Sequence, residues 1–225
     1  MKKTIQTLLF LLLSNIAFTQ TWHLDVTPSI NHNWMMAFGA VSETDDSYVC
    51  AVGEDILDIG FDGKLNYHYR KEIVLPPNPN PDFLTLQTTF VKKTENGYLS
   101  VGATGLPSNY TLIQYIGFDN QLIYSKKIYV SASTAIGKKT PTAVYNEAEK
   151  SLFVASRDSI YLFESETGKT IWSIFKNGYY SDAQLHDDKY YTINYNGELL
   201  EISKTGNINW TKNLNIIPYS ISILN

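Results

Sequence analysis

The sequence is poor in cysteine, and this limits how the protein can be stabilised. Cys50 is the single cysteine among 225 residues, so no internal disulfide can form. Hydrophobic residues make up 44% of the chain, and a chain of this length buries roughly 70% of its unfolded surface. We therefore expect packing alone to stabilise the fold. Cys50 lies in an apolar run, Tyr48 to Val52, and is expected to be a small buried hydrophobe.

An excess of charge of either sign is also lacking. The chain has 18 Lys+Arg against 22 Asp+Glu, which gives a formal net charge of -4. Proteins that bind nucleic acid carry clustered basic residues, so no nucleic-acid partner is predicted. Every apolar segment is shorter than the roughly 20 residues that a membrane-spanning helix requires, so no membrane span is predicted either.

Helical periodicity is absent beyond the first twenty residues, and this excludes a helical bundle. Aromatic residues are abundant, with 16 Tyr and 10 Phe against only 3 Met. This bias favours strands. The predicted fold class is all-β.

The first nineteen residues have the pattern of a signal peptide. Lys2 and Lys3 precede an apolar run from Leu8 to Phe18, and the small residues Ala17 and Thr19 suit a cleavage site before Gln20. We predict a signal peptide over 1–19, a mature domain over 20–225 and an extracytoplasmic location: periplasmic, cell-surface or secreted. A membrane anchor is the alternative, but the run is short for it. Lipid attachment is not predicted, because no cysteine ends the run.

Two segments in the first half of the chain repeat each other. Ile-Gly-Phe-Asp-Gly-Lys-Leu at 59–65 recurs as Ile-Gly-Phe-Asp-Asn-Gln-Leu at 116–122. Each copy is preceded by an acidic turn and an apolar strand that ends in glycine, at Gly53 and Gly102. Pairs such as Asp62-Gly63, Asn96-Gly97 and Asn196-Gly197 supply the positive φ that tight hairpins need.

Two further copies occupy the second half. Thr-Gly-Lys-Thr-Ile-Trp at 167–172 corresponds to Thr-Gly-Asn-Ile-Asn-Trp at 205–210, so Trp172 and Trp210 are 38 residues apart. A period near 40 residues with four short strands per unit is typical of β-propeller blades. A solenoid of hairpins is the alternative.

The predicted propeller has about four blades of four antiparallel strands and is incomplete. The predicted blades cover 35–75, 86–131, 141–178 and 181–216, with partial strands at 21–27 and 217–225.

The segment Leu162-Phe163-Glu164, followed by Glu166-Thr167-Gly168-Lys169 and Trp172, resembles the repeat of quinoprotein-like β-propellers. The resemblance covers roughly 35–216. That family is named for pyrroloquinoline quinone, and the resemblance implies that the tryptophan of one blade packs on the next blade. Most proteins with such repeats bind no quinone and serve as scaffolds, so the resemblance indicates architecture rather than activity.

Three functions remain open at this point. The first is a non-catalytic exported interaction or scaffold module that binds a protein or a glycan. The second is a fragment or relative of a quinone-dependent dehydrogenase, but the chain lacks the adjacent cysteines and the acidic calcium site of that family. The third is an envelope assembly factor, against which the missing lipid-attachment cysteine counts. No catalytic residue, cofactor-binding residue, metal ligand or cofactor is predicted.

Each candidate site has an ordinary structural explanation. Trp172 and Trp210 are expected to pack between blades rather than stack on a ligand. Asp62 and Asp119 are expected to shape turns rather than hold calcium, which needs six or more oxygen ligands. The doublets Asp45-Asp46 and Asp187-Asp188 are predicted in equivalent turns. The histidines lack the paired spacing of a zinc site: His23, His32, His68 and His186.

A proline-rich segment interrupts the repeat. Residues 76–81 contain four prolines in six positions, which favours a stiff, extended connection between the first two blades. Such a connection is either a passive spacer or part of a recognition surface on one rim.

Overall fold

The computed structural model describes residues 39–52, 55–70, 86–104, 110–129, 141–216 and 220–223. These residues form sixteen β-strands in four sheets of four strands. Sheet 1 contains β1 (Gly39–Glu43), β2 (Ser47–Val52), β3 (Asp55–Gly60) and β4 (Leu65–Arg70). Sheet 2 contains β5 (Leu86–Lys93), β6 (Gly97–Thr104), β7 (Tyr110–Gly117) and β8 (Leu122–Tyr129).

The second half of the chain repeats this plan. Sheet 3 contains β9 (Thr142–Asn146), β10 (Ser151–Ala155), β11 (Ser159–Glu164) and β12 (Thr170–Phe175). Sheet 4 contains β13 (Tyr180–His186), β14 (Lys189–Asn194), β15 (Glu198–Ser203) and β16 (Ile208–Asn213). In every sheet the strands lie in chain order and each pairs antiparallel with the next, as an up-and-down meander.

The same register irregularity occurs in all four sheets. It lies where the third strand pairs with the fourth, after Asp58, Tyr115, Leu162 and Glu201. A bulge here is followed by a turn whose positive-φ residue is Gly63, Asn120, Gly168 or Gly206. Because bulge and turn recur together, these residues occupy equivalent positions in the four sheets. This equivalence allows the sheets to be compared residue by residue.

One predicted turn residue acts differently. Gly63 and Gly197 have positive φ, at 81° and 80°, as their sequence context predicts. Gly97 does not have positive φ, so that prediction was wrong. Gly97 is required for a different reason: a Cβ there would lie 2.1 Å from the carbonyl oxygen of Ile116 on the paired strand.

The apolar core lies between consecutive sheets. One cluster joins sheets 1 and 2 around Val49 and Tyr98, a second joins sheets 2 and 3 around Tyr115 and Phe163, and a third joins sheets 3 and 4. The first strands pack in series, β1 on β5, β5 on β9 and β9 on β13, whereas β1 and β13 do not pack on each other in this way. Within the described residues, the four sheets therefore pack in a series from sheet 1 to sheet 4.

The fold prediction is confirmed: the described chain is all-β, with four antiparallel four-stranded sheets stacked as β-propeller blades. The described residues contain no helix that is long and apolar enough to span a membrane. The signal peptide at 1–19, the strand predicted at 21–27 and the proline segment at 76–81 lie outside the described residues. Residues 220–223 belong to no strand, and the Ile221 amide donates to Asp182 Oδ2 at 2.9 Å.

Candidate docking surface

An aromatic residue occupies the third position of every fourth strand. These residues are Tyr67, Tyr124, Trp172 and Trp210. Side chains alternate between the two faces of a strand, so equal positions point to the same side of their sheets. In the first three sheets this side faces the next sheet along the chain. The contacts of these aromatic residues therefore define how one sheet docks on the next.

Trp172 docks sheet 3 on sheet 4. Its indole Nε1 donates to the carbonyl oxygen of Lys204 at 2.7 Å, in the β15–β16 turn. A Cβ added to Gly206 would lie 2.8 Å from the indole ring, so glycine at this turn leaves room for the ring. Phe153 stacks on Tyr190 of sheet 4 at 4.7 Å, beside the tryptophan. The predicted inter-blade packing is confirmed for Trp172.

Tyr124 repeats this contact between sheets 2 and 3. Its hydroxyl donates to the carbonyl oxygen of Ser165 at 2.8 Å, and its ring covers Gly168, where a Cβ would lie 2.8 Å away. Lys126, two residues along β8, donates to the Gly168 carbonyl oxygen at 2.9 Å and lies over the Phe163 ring. The β11–β12 turn thus receives the same kind of contact as the β15–β16 turn.

Sheet 1 docks on sheet 2 through an aromatic pair and a buried acid. Tyr67 stacks on Tyr98 at 4.4 Å between ring centroids and donates to the Gly117 carbonyl oxygen. The Tyr98 hydroxyl donates to Asp58 Oδ2 at 2.7 Å, and Lys93 Nζ lies 2.9 Å from the same oxygen. Burial opposes ionisation of Asp58, but hydrogen bonds from Ser47, Lys93 and Tyr98 outweigh it and lower its pKa.

Trp210 has no such partner sheet within the described residues. It is 39% exposed, and among the described residues the ring that contacts it is Tyr191 of its own sheet, at 6.2 Å. The prediction that Trp210 packs between blades was therefore wrong for the described part of the chain. The physical reason is that, among the described residues, no other sheet contributes a turn to this side of sheet 4.

A buried carboxylate lies beside Trp210. Glu201 accepts from the Tyr191 hydroxyl at 2.8 Å and from Asn209 Nδ2 at 3.0 Å, and Lys189 Nζ lies 3.3 Å away. Burial opposes ionisation, but hydrogen bonds from Asn209, Tyr191, Lys189 and Trp210 outweigh it and lower the pKa of Glu201 to about 2. The carboxylate is therefore ionised at neutral pH. Tyr191, Glu201 and Trp210 form one row across the outer face of sheet 4, and we call this row the outer row.

The opposite end of the series, the outer face of sheet 1, carries a second aromatic pair. Tyr48 and Phe61 meet edge-to-face at 5.0 Å. Val41, on the same face, is 70% exposed. Cys50 pairs with Val41 across β1 and β2 and is half-buried, with its pKa raised first by burial and then by Asp58. The expected burial of Cys50 is thus only partial, because its neighbour Val41 on the edge strand leaves it partly exposed.

The remaining candidates shape turns or form ion pairs. The carboxylates of Asp62 and Asp119 each accept the amide two residues ahead, at 3.0 and 3.1 Å, which is the turn role predicted for them. The described histidines pair with neighbouring acids: His68 with Asp55, and His186 with Asp187. Within the described ranges no group of three or more His, Cys, Asp or Glu could hold a metal ion. His23 and His32 lie outside those ranges.

The sequence interpretation missed the two buried acids and Tyr48. Asp58 and Glu201 occupy equivalent places before the bulge, where sheets 2 and 3 have Tyr115 and Leu162. A charged residue at a core position of a repeat was the available signal.

No protein-family model matches the sequence, and no curated protein matches it. Solved structures do match. BamB from Moraxella catarrhalis is 10% identical with a TM-score of 0.62, and the match covers 88% of this chain and 57% of that chain. Sqt1 of Saccharomyces cerevisiae is 8% identical with a TM-score of 0.60, covering 84% of this chain and 52% of that chain.

A third match is the WD40 domain of Neurospora crassa Pan2, which is 11% identical with a TM-score of 0.53, covering 79% of this chain and 49% of that chain. The chain thus spans about half the length of the solved proteins that it resembles. At these identities the likeness concerns the fold alone. Together with the four stacked meanders, it identifies the described chain as a β-propeller fold.

Proposed function

We propose that this protein is a non-catalytic, exported interaction module that binds a protein through the outer face of sheet 4. The observation that carries the proposal is Trp210. Its three counterparts each dock on a neighbouring sheet, whereas Trp210 is exposed beside an ionised, buried carboxylate. Exposed aromatic residues beside preorganised polar groups are typical of protein-binding surfaces.

The outer row is well suited to specific recognition. Glu201 is held by donors from its own sheet, so the carboxylate is already desolvated and oriented before any partner arrives. Tyr191 and Trp210 supply apolar area with few rotatable bonds, so little side-chain entropy is lost on binding. A partner that adds a hydrogen-bond donor and an apolar ring matches both properties.

The non-catalytic part of the proposal is supported by how the polar groups are used. Asp58 and Lys93 connect sheets 1 and 2. Lys150 connects sheet 3 to Glu95 of sheet 2. Lys204 connects sheet 4 to Glu149 of sheet 3. These side chains have structural partners on neighbouring sheets.

The extracytoplasmic part rests on the leader-like segment at 1–19, with its two lysines and its apolar run. A location in the cell envelope or outside the cell follows from export. The alternative of a quinone-dependent dehydrogenase rests only on the tryptophan repeat, and Trp172 already has a packing role.

Residue-specific photo-crosslinking in the native cell tests the proposal. A photoreactive phenylalanine analogue replaces Lys212, which is exposed on the same face of β16 as Trp210. The matched control places it at Phe175, an 85% exposed residue on β12 of the interior sheet 3. We expect a polypeptide adduct from position 212, found in the exported fraction, and none from position 175.

Absence of an adduct at position 212, or equal adducts at both positions, would contradict the proposal. The enzymatic alternative has its own readout. Adding pyrroloquinoline quinone with calcium to the purified protein should not raise its melting temperature, because a ligand stabilises only a fold that binds it. A rise of several degrees, with dye-linked oxidation of an alcohol or sugar, would favour the dehydrogenase.

A further inference from the structure

We infer that the end of sheets 1 and 2 that carries their first and third turns is a second docking surface, and that it binds a basic polypeptide segment with apolar side chains. The repeated Ile-Gly-Phe-Asp segments at 59–62 and 116–119 build this surface. It uses other residues than the outer row of sheet 4, so the inference goes beyond the proposed function.

The first and third turns of sheets 1 and 2 lie together. In an up-and-down meander these turns share one end of the sheet, because consecutive strands alternate in direction. The Phe61 amide donates to the Asp46 carbonyl oxygen at 3.3 Å, which joins the two turns of sheet 1. The Tyr67 hydroxyl donates to the Gly117 carbonyl oxygen at 3.2 Å, which joins β4 to the third turn of sheet 2. We call residues 44–46, 61–65, 94–96 and 118–123 the turn surface.

Apolar side chains of the turn surface are exposed to solvent. Five of them are between 38% and 50% exposed: Phe61, Leu65, Phe118, Leu122 and Ile123. In sheets 1 and 2 the residue after the third strand is phenylalanine, whereas the equivalent residues of sheets 3 and 4 are Ser165 and Lys204. The fold therefore does not require an apolar residue at this position. Exposed apolar side chains grouped among polar ones are typical of a protein-binding site.

The two phenylalanine rings are held in place before any partner arrives. Phe118 meets the buried Tyr98 edge-to-face at 5.3 Å, and Phe61 meets Tyr48 in the same way at 5.0 Å. In each segment the turn carboxylate accepts the amide two residues ahead, which fixes the backbone beside the ring. Little conformational freedom is therefore lost on binding, and the rings are suited to act as anchors.

The charge of the turn surface selects the partner. Its turns carry five carboxylates and one lysine: Asp45, Asp46, Asp62, Glu95, Asp119 and Lys64. Lys64 already pairs with Asp62 at 2.7 Å. Lysines of the following sheet reach two of the other acids, but among the described residues no cation pairs with Asp45 or Asp119. A partner that carries lysine or arginine beside apolar side chains complements both the charge and the exposed rings.

The same charge argues against two other occupants. A second copy that docked by its own turn surface would bring carboxylates against carboxylates, and like charges in an interface disfavour it. An anionic lipid surface would be repelled by the same carboxylates. A basic polypeptide meets neither obstacle.

Selection from a random peptide library displayed on phage tests the inference on the purified full chain. Phe118→Ser serves for the matched depletion step, because it removes one exposed ring and lies outside the strands. We expect enriched peptides that combine lysine or arginine with apolar residues. Absence of enrichment over Phe118→Ser, or enrichment of neutral or acidic sequences, would overturn the inference.

A fluorescein-labelled synthetic copy of the most enriched peptide measures the affinity by anisotropy. Phe118→Ser should weaken binding at least about tenfold, the effect of losing an interface anchor. Asp119→Asn should weaken it about twofold to fivefold, since asparagine keeps the turn acceptor but loses the charge. Phe175→Ser, at an 85% exposed residue of sheet 3, is the matched control and should leave binding unchanged. Circular dichroism verifies that each variant is folded.

Equal losses for Phe118→Ser and Phe175→Ser would overturn the inference, as would binding that is indifferent to Phe118→Ser. Two further results would identify a different occupant and also overturn it. One is a dimer, seen by light scattering, that Phe118→Ser dissociates. The other is sedimentation with phosphatidylcholine–phosphatidylglycerol vesicles that Phe118→Ser abolishes. The crosslink expected at position 212 should persist in Phe118→Ser, so either proposal can fail without the other.

Discussion

Trp172 and Trp210 hold the same position in neighbouring sheets, yet their surroundings differ completely. The indole of Trp172 donates to the Lys204 carbonyl oxygen of the next sheet and covers Gly206. Trp210 is 39% exposed, and its hydrogen bond goes to Glu201 of its own sheet. The local sequence around both residues is alike. What differs is whether a described sheet packs on the residue, so the comparison shows that one repeat element can be core in one sheet and exposed in another.

The buried acids give a second form of the same comparison. Asp58 receives Lys93 and Tyr98 from the neighbouring sheet, in addition to Ser47 and Asn66 of its own sheet. Glu201 receives Asn209, Tyr191 and Lys189 from its own sheet. An acid whose donors lie within one sheet keeps its charge without a neighbour. The charge of Glu201 is therefore held by donors of sheet 4 itself, whereas that of Asp58 also depends on donors from sheet 2.

The tryptophans are expected to show the largest difference in stability. Trp172→Ala should destabilise the protein by about 3–5 kcal/mol, because it removes a packed ring between sheets and its hydrogen bond. Trp210→Ala should cost about 1 kcal/mol or less in the monomer, where the ring is partly exposed. Urea unfolding of both variants at low protein concentration measures this. Equal losses would mean that Trp210 is also covered.

The second-largest difference in stability is expected between the two lysines that pair with the buried acids. Lys93→Met should cost roughly 2–3 kcal/mol, since Asp58 then keeps a buried charge with fewer donors. Lys189→Met should cost roughly 1 kcal/mol or less, because Lys189 is more exposed and Asn209 and Tyr191 still hold Glu201. Urea unfolding at neutral pH compares them. A larger loss for Lys189→Met would contradict the distinction between the acids.

The glycines of the third turns are expected to show the smallest difference. Gly206→Ala should cost about 2 kcal/mol, because alanine is strained at φ +84° and its Cβ meets the Trp172 ring. Gly63→Ala carries the backbone strain at φ 81° alone and should cost about 1 kcal/mol. Thermal unfolding of both variants decides this. Equal losses would mean that the contact with Trp172 adds nothing.

Much of the fold could be predicted from the sequence, because its determinants are local. The Asp62-Gly63 and Asn196-Gly197 turns, the alternating strands between them and the tryptophan spacing all lie within one repeat. Gly97 was predicted incorrectly because its role is a close approach to the paired strand, which a turn motif does not reveal. The candidate docking surface was harder to predict, because the exposure of Trp210 depends on which sheets pack on it and not on its own strand.

The sequence by itself determined that the chain forms short antiparallel strands in a period near 40 residues, since turn glycines and side-chain alternation act within a few residues of each other. Only the tertiary structure decided which repeated positions became core. Burial of Tyr67, Tyr124 and Trp172 depends on a turn contributed some 30 to 50 residues later, whereas Trp210 meets no such turn among the described residues. The physical reason is that burial is a property of the neighbouring sheet and not of the strand that carries the residue.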